Sequence, residues 1–274
     1  MFVHRTITTS STLYAVSKAP LWFEPAPGAR KPRFTRDQIA EVALAIADKD
    51  GFEALSMRRI AEELGAGTMT LYHYVRTKDD LMALMDDALM GECVRRTGKL
   101  PRDWRRALAA IARAMRDTFL GHPWARHSLQ GARLGPNGLL HVEQSLAAVE
   151  DLHVDLATKL QVLSIVDDYA FGHLLRSNDS GAIPPPSDRE GARLVNELTQ
   201  RYLATGAYPR LQAVIGEREP MVAFADFGRM MTAEERFDVG LEALLDGIAR
   251  RFARPARRAR ATRSGTPRRT YRRR

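Results

Sequence analysis

Apolar residues recur at helical spacing along most of the chain. From Thr35 onward, Ile39, Val42, Ala43, Ile46 and Ala47 mark one face of a helix. Thr35 followed by Gln38 predicts a capping box at its start, and Gly51 predicts its end through a left-handed conformation. A short second helix, capped by Ser56, turns Met57, Ile60, Ala61 and Leu64 inward. Gly65-Ala66-Gly67 predicts a tight turn. Thr68 is placed to cap a third helix from Met69 to about Val75, with Leu71 and Val75 on its apolar side. Thr77 caps a fourth helix over 78–97, where Asp79 and Asp80 suit the positive end of the dipole. Its stripe is Leu81, Leu84, Met85, Ala88 and Leu89.

Beyond Pro101 the text stays helical. Asp103–Leu120 carries Leu108, Ile111, Met115 and Phe119 at core spacing. Pro123, Gly131, Gly135 and Pro136 predict an irregular stretch from Gly121 to Gly138. Helices are expected over Gly138–Asp151, Asp155–Ser177 and about Asp188–Ala204, with a stiff loop at Pro184-Pro185-Pro186. The helix at 155–177 is apolar around much of its circumference, as a helix buried on several sides would be. Thr232 with Glu235 opens a last helix that places Phe237, Leu241, Leu244 and Ile248 on one face. With no strand pattern, the fold class is all-α: an N-terminal three-helix head and a C-terminal helical bundle that dimerises. The expected boundaries are a disordered basic arm at 1–34, a head at 35–80, a bundle at 81–253 and a disordered Arg-rich tail at 254–274.

Composition removes several classes of function. No apolar run reaches eighteen residues, so no membrane span is expected. A single cysteine, Cys93, excludes an intrachain disulfide or a thiolate metal site. The seven histidines show no helical metal-ligand spacing, and no nucleophile elbow or phosphate-binding Gly loop is present. No cofactor, metal or catalysis is therefore expected, and the cytoplasm is the default location because the N-terminus lacks a secretory leader. The formal charge of +9 is unevenly spread: twelve arginines and no acids from Arg250 onward give +12, and residues 1–34 give +4, leaving −7 for the body. Polybasic ends attract polyanions without reading sequence.

The stretch Ser56 to Lys78 carries the chemistry. Two short helices joined by a Gly-containing turn form a helix-turn-helix, whose second helix enters the DNA major groove. Thr68, Met69, Thr70, Tyr72 and His73 offer hydroxyl, imidazole and thioether groups to phosphates and base edges. Lys78 stands at a helix N-terminus, where amides and positive charge together suit a phosphate.

The Leu64-Gly65 turn, Thr70-Leu71-Tyr72-His73-Tyr74-Val75, and Lys78 followed by Asp79-Asp80-Leu81 resemble the DNA-binding head of the TetR family of repressors. The resemblance implies base contacts from Arg58, Thr68, Met69 and Thr70. It implies phosphate contacts from Tyr72, Tyr74 and Lys78, with Ser56 and His73 beside them. The remainder is more loosely similar to the tetracycline-repressor branch, which uses a His before a Leu-Gly pair to hold a ligand-bound magnesium. Arg133 precedes Leu134-Gly135 here, a departure from that pattern. The partners so implied are a double-stranded, pseudo-palindromic operator, a second copy of the chain through the helix near 155–177 and the last helix, and an unidentified small-molecule effector. A constitutive dimeric DNA binder without an inducer is the alternative.

Candidate pocket residues are Met115, Phe119, His122, Trp124, His127, Arg133, Asp167, Asp168, Tyr169 and His173. Asp167-Asp168 interrupts an apolar helix, and a buried carboxylate must be paired or protonated. Its partner could be Arg133, a ligand amine or the other subunit, with one Asp left in solvent. The aromatics and Met115 equally suit a core.

Overall fold

The computed structural model describes residues 21–23, 34–127, 135–176 and 189–252. Arg133, the Pro184–Pro186 loop, the tail at 254–274 and most of the expected arm lie outside them. Every regular element among the described residues is helical. They divide into two compact units: the first takes residues 1–92 and 122–140, the second 93–121 and 141–274.

The first unit begins with α1 (Arg36–Asp50), closed at its start by the expected capping box: the Thr35 hydroxyl accepts the Gln38 N–H and the Gln38 side chain accepts the Thr35 N–H. Its inner face is Ile39, Ala40, Ala43, Ile46 and Ala47, so Ala40 takes the place expected for Val42, which is only half-buried. Gly51 ends the helix at φ 85°, ψ 158°. The positive φ was expected, but ψ is extended rather than left-handed helical, so the chain leaves directly into a 3-10 turn at Phe52–Ala54. Then come α2 (Met57–Glu63), α3 (Thr68–Tyr72) and α4 (Lys78–Thr97). Ile39, Ile60, Leu71, Val75 and Met85 are fully buried where these helices meet. Each such side chain contributes on the order of 2 kcal/mol through lost apolar exposure.

Two expectations for α3 need correcting. Its N-cap is Gly67, with no side-chain hydrogen bond, and Thr68 is the first helical residue. The helix stops at Tyr72, and Tyr74 and Val75 are buried in the following turn. The entry is closed by backbone alone, with the Thr70 N–H donating to the Gly67 carbonyl at 2.9 Å.

The second unit is built on α5 (Trp104–Gly121) and α7 (Leu156–Arg176), which pack along much of their length, with α11 (Ala233–Phe252) laid against both. Leu108, Ile111, Met115 and Phe119 line the inside of α5, as their spacing predicts. On α11 the buried set is Phe237, Leu241, Leu245 and Ile248; Leu244, expected to face inward, is half-buried because Leu245 continues the i, i+4 register. The expected capping box is present there: the Glu235 N–H donates to the Thr232 hydroxyl at 3.1 Å and the Thr232 N–H to the Glu235 carboxylate at 2.8 Å. The helix α8 (Arg189–Leu203) joins α9 (Pro209–Ile215) and α10 (Pro220–Arg229) around Leu203, Ile215 and Ala223.

The sequence pattern missed α9 and α10. Each carries proline at its first position, where the missing N–H costs nothing and the fixed φ favours a helix. The same chemistry moves the start of α6 (Pro136–Ala148) into the stretch expected to be irregular, which also holds a 3-10 turn at Pro123–His127.

Candidate nucleic-acid interface

The turn between α2 and α3 is fixed by its backbone. Gly65 has φ 60°, its N–H donates to the Glu62 carbonyl at 3.1 Å, and the Ala66 N–H donates to the Ala61 carbonyl at 2.8 Å. This paired closure, with glycine in the left-handed position, satisfies the last carbonyls of α2 and reverses the chain within a few residues. At the other end of α2 the exposed Ser56 hydroxyl accepts the Arg59 N–H at 3.2 Å. Arg59 in turn donates to Asp50 at 2.7 Å, tying α2 to the end of α1.

Leu71 is fully buried and holds α3 down, which turns its remaining side chains outward. Met69 is 75% exposed and Tyr72 42% exposed. His73 is exposed, and Thr68 and Thr70 are half-exposed on the same short helix. Arg58, on the first turn of α2, is exposed and donates to Glu62 at 2.9 Å. Lys78 projects at the start of α4 with its ammonium 5.3 Å from the centre of the Phe52 ring. That start is a closed cap: the Asp80 N–H donates to the Thr77 hydroxyl at 3.0 Å, and the Asp80 carboxylate accepts the Thr77 N–H at 3.1 Å.

Tyr74 departs from the other candidates. It is only 5% exposed, and its ring lies 4.8 Å from that of Phe34. Its body belongs to the core under the motif, and any phosphate contact is left to its hydroxyl.

The ten pocket candidates are not gathered in one place. In the second unit Met115 and Phe119 are buried, and Phe119 meets the edge of Phe171 at 6.1 Å. Tyr169 and His173 lean on Phe237 of α11, and the Tyr169 hydroxyl donates to the Phe237 carbonyl at 2.7 Å. Burial, then the charges of Arg236 and Arg116, push the His173 imidazole below its ordinary value. Asp167 lies two residues before Tyr169, roughly 200° around the helix from it. Burial, aided by Asp168, raises its carboxyl to about 6. Asp168 itself is exposed.

His122 and Trp124 fall in the first unit. The His122 ring nitrogens lie 2.8 Å from Asp48 of α1 and 3.1 Å from Glu92 of α4, while the Trp124 N–H donates to Asp48 at 2.7 Å. The Trp124 ring stacks on Phe52 at 6.0 Å. His127 closes the same 3-10 turn. One turn back along α4 from Glu92, buried Asp87 accepts the Gly138 N–H at 2.9 Å and the Asn137 amide at 3.0 Å, at the start of α6. A Cβ on Gly135 would collide with Asp87 and with the Trp22 ring, so only glycine fits there. Asp48, Asp87 and Glu92 escaped the sequence reading because their partners lie tens of residues away. No local pattern distinguishes them from solvated acids.

Comparison with known proteins agrees with this geometry. Residues 39–85 match the family described as bacterial regulatory proteins of the tetR family, and residues 97–252 match the tetracyclin repressor-like C-terminal domain. The HTH-type transcriptional repressor DrrR1 of Streptomyces coeruleorubidus is 32% identical over 227 residues, covering 80% of this chain and 78% of that one. Among solved structures, apo ActR of Streptomyces coelicolor is similar with a TM-score of 0.57 and 26% identity, covering 80% of this chain and 96% of that one. ActR in complex with actinorhodin is similar with a TM-score of 0.55 and 25% identity, covering 78% and 95%. The chain belongs to the TetR family and is a DNA-binding regulator of transcription.

Proposed function

We propose that this protein is a homodimeric cytoplasmic repressor that holds a pseudo-palindromic operator and releases it when a small molecule binds the second unit. The observation that carries the reading is α3, a five-residue helix held by one buried leucine and presenting Thr68, Met69, Thr70 and Tyr72 outward, with exposed His73 capping its end. Arg58, Thr68, Met69 and Thr70 are assigned to base edges. Tyr72, His73, Lys78 and the Ser56 region are assigned to phosphates, which position the helix without specifying sequence. A likeness to DrrR1, a repressor, supports the sign of regulation, and a likeness to ActR, solved with actinorhodin, supports an organic effector.

Dimerisation is assigned to α7 and α11. Leu156, Leu160 and Leu175 of α7 and Val239 of α11 are 48–64% exposed in the single chain, and a second copy would cover them. The route from effector to DNA is assigned to residues 122–127 and 135–140, which pack on α1 through Asp48 and on α4 through Glu92 and Asp87. An effector that displaces them would move α4, which begins at Lys78, shortly after the recognition helix in sequence. A differential affinity of about 2–3 kcal/mol between the two arrangements would relieve repression roughly 30- to 150-fold.

Footprinting on DNA upstream of the protein's own gene tests this reading. The expected result is one protected site with two-fold sequence symmetry and half-sites about one helical turn, or a multiple of it, apart. Protection without symmetry would contradict the dimeric helix-turn-helix reading.

A further inference from the structure

A second cationic surface lies away from the helix-turn-helix in sequence and belongs to the second unit. Between Arg95 and Arg106, five of twelve residues are exposed cations: Arg95, Arg96, Lys99, Arg102 and Arg106. They surround the turn from α4 into α5, where Gly98 takes φ 60° and its carbonyl accepts the Gln144 amide at 3.3 Å. Arg95 and Arg96 suit the negative end of the α4 dipole, so helix stability alone accounts for them. The same physics disfavours Arg102 and Arg106, which crowd the positive end of α5, whose first turn holds no acid.

Of the neighbouring acids, Glu242 lies 3.5 Å from Arg113, while Asp103 caps α5 by accepting the Arg106 backbone N–H at 3.0 Å and keeps its charge, which offsets only one of the five cations. Asp246 holds Arg105, whose guanidinium also reaches the Leu245 carbonyl. That last contact fixes the end of α11 beside the first turn of α5. Arg250 and Arg251, one turn further on, are exposed at this end too. Ten more arginines and no acid follow Phe252 in the sequence.

We propose that this end of the second unit is a second DNA-binding surface, one that grips the phosphate backbone of a duplex without reading its sequence. Guanidinium groups pair with phosphate oxygens two at a time, which suits an arginine-rich cluster better than a lysine-rich one. A duplex fits better than a single strand: the one aromatic of the turn, Trp104, is half-buried with Arg105 over its ring, so no platform for unstacked bases is offered. Together with operator binding by α2 and α3, such a surface would let one dimer hold two DNA segments.

A sandwich experiment on the full chain tests this. A duplex of random sequence is immobilised and saturated with protein, and a second, labelled duplex is offered at physiological salt. Three proteins are compared: the wild type, the combined variant R95Q/R96Q/K99Q/R102Q/R106Q, and the recognition-helix variant T70A/K78A. Per protein held on the first duplex, the wild type and T70A/K78A are expected to capture the second duplex alike, although loss of the Lys78 phosphate contact weakens the hold on the first, and the five-fold variant is expected to lose capture at least ten-fold. Its slope of log affinity against log salt should fall by about 2–4, at roughly 0.9 per lost phosphate contact. Its operator preference should match the wild type, and its melting temperature should move by only a few degrees, since loss of Arg95 and Arg96 from the end of α4 is offset by loss of Arg102 and Arg106 from the start of α5. This separates failure of this surface from failure of operator recognition. Capture by the five-fold variant equal to the wild type, or no capture by the wild type, would overturn the proposal.

Discussion

Two tyrosines separated by one residue illustrate how burial divides labour within the motif. Tyr72 is exposed at the end of α3, while Tyr74 is buried against Phe34, the two rings tilted by 41°. Tyr72 is free to meet a phosphate; Tyr74 serves first to hold the helix at the right height. Asp167 shows burial acting on charge instead. Its folded-state carboxyl titrates at about 6, so the folded protein holds this proton more tightly than the unfolded chain does. The stabilisation so gained is complete below about pH 4 and is lost as pH rises through about 6, leaving a cost near 2–3 kcal/mol at neutral pH. Asp167→Asn, neutral throughout, should therefore be more stable than the wild type by about that amount at pH 7.5 and nearly equal to it at pH 4. Urea midpoints at the two pH values measure this. An equal gap at both would mean that ionisation of Asp167 is not what costs stability.

At the scale of the elements, the two glycines of the recognition turn have different tasks. Gly65 needs φ 60° and has open space around its α-carbon, so Gly65→Ala should cost about 1–2 kcal/mol purely through backbone strain. Gly67 has φ −78°, which any residue adopts, so Gly67→Ala carries no backbone strain and should cost under about 0.5 kcal/mol, the poorer N-cap preference of alanine being offset by the lower entropy of its unfolded chain. Equal losses in urea denaturation would mean that the turn is set by something other than the Gly65 backbone. Much of the element pattern was legible because it rests on local chemistry: the Thr35 and Thr232 capping boxes, the Ser56 and Thr77 caps and the helical stripes of α4 and α5 lie within a few residues of one another. What was illegible has two causes. Proline was read as a breaker at 136, whereas it opens α6, and the stretch between Ala204 and Thr232 was given no element, although Pro209 and Pro220 open α9 and α10 there. The grip of Asp48 and Glu92 on His122 and Trp124, and of Asp87 on Asn137 and Gly138, depends on tertiary neighbours, which no window of sequence contains. The outward face of α3 was legible almost residue by residue; the pocket candidates were not, since an apolar helix face looks the same whether it lines a core or a cavity.

For the whole molecule, charge is distributed to serve a DNA binder. An acidic body at −7 lies between basic ends of +4 and +12, so attraction to DNA is concentrated rather than general. Such ends raise affinity for every duplex alike, and only the helix-turn-helix can supply preference for one. The most direct test of the central claim is fluorescence anisotropy of the full chain on two duplexes, one from upstream of its own gene and one with the same bases scrambled, at two salt concentrations. A variant carrying Tyr72→Ala and Lys78→Ala runs beside the wild type. Sequence-reading by α3 predicts that the wild type prefers the native duplex by about 10³-fold or more, and that the variant loses this margin while retaining salt-sensitive binding to both. Equal affinity of the wild type for both duplexes, collapsing together as salt rises, would contradict it and leave the arginines as the DNA-binding element at this site.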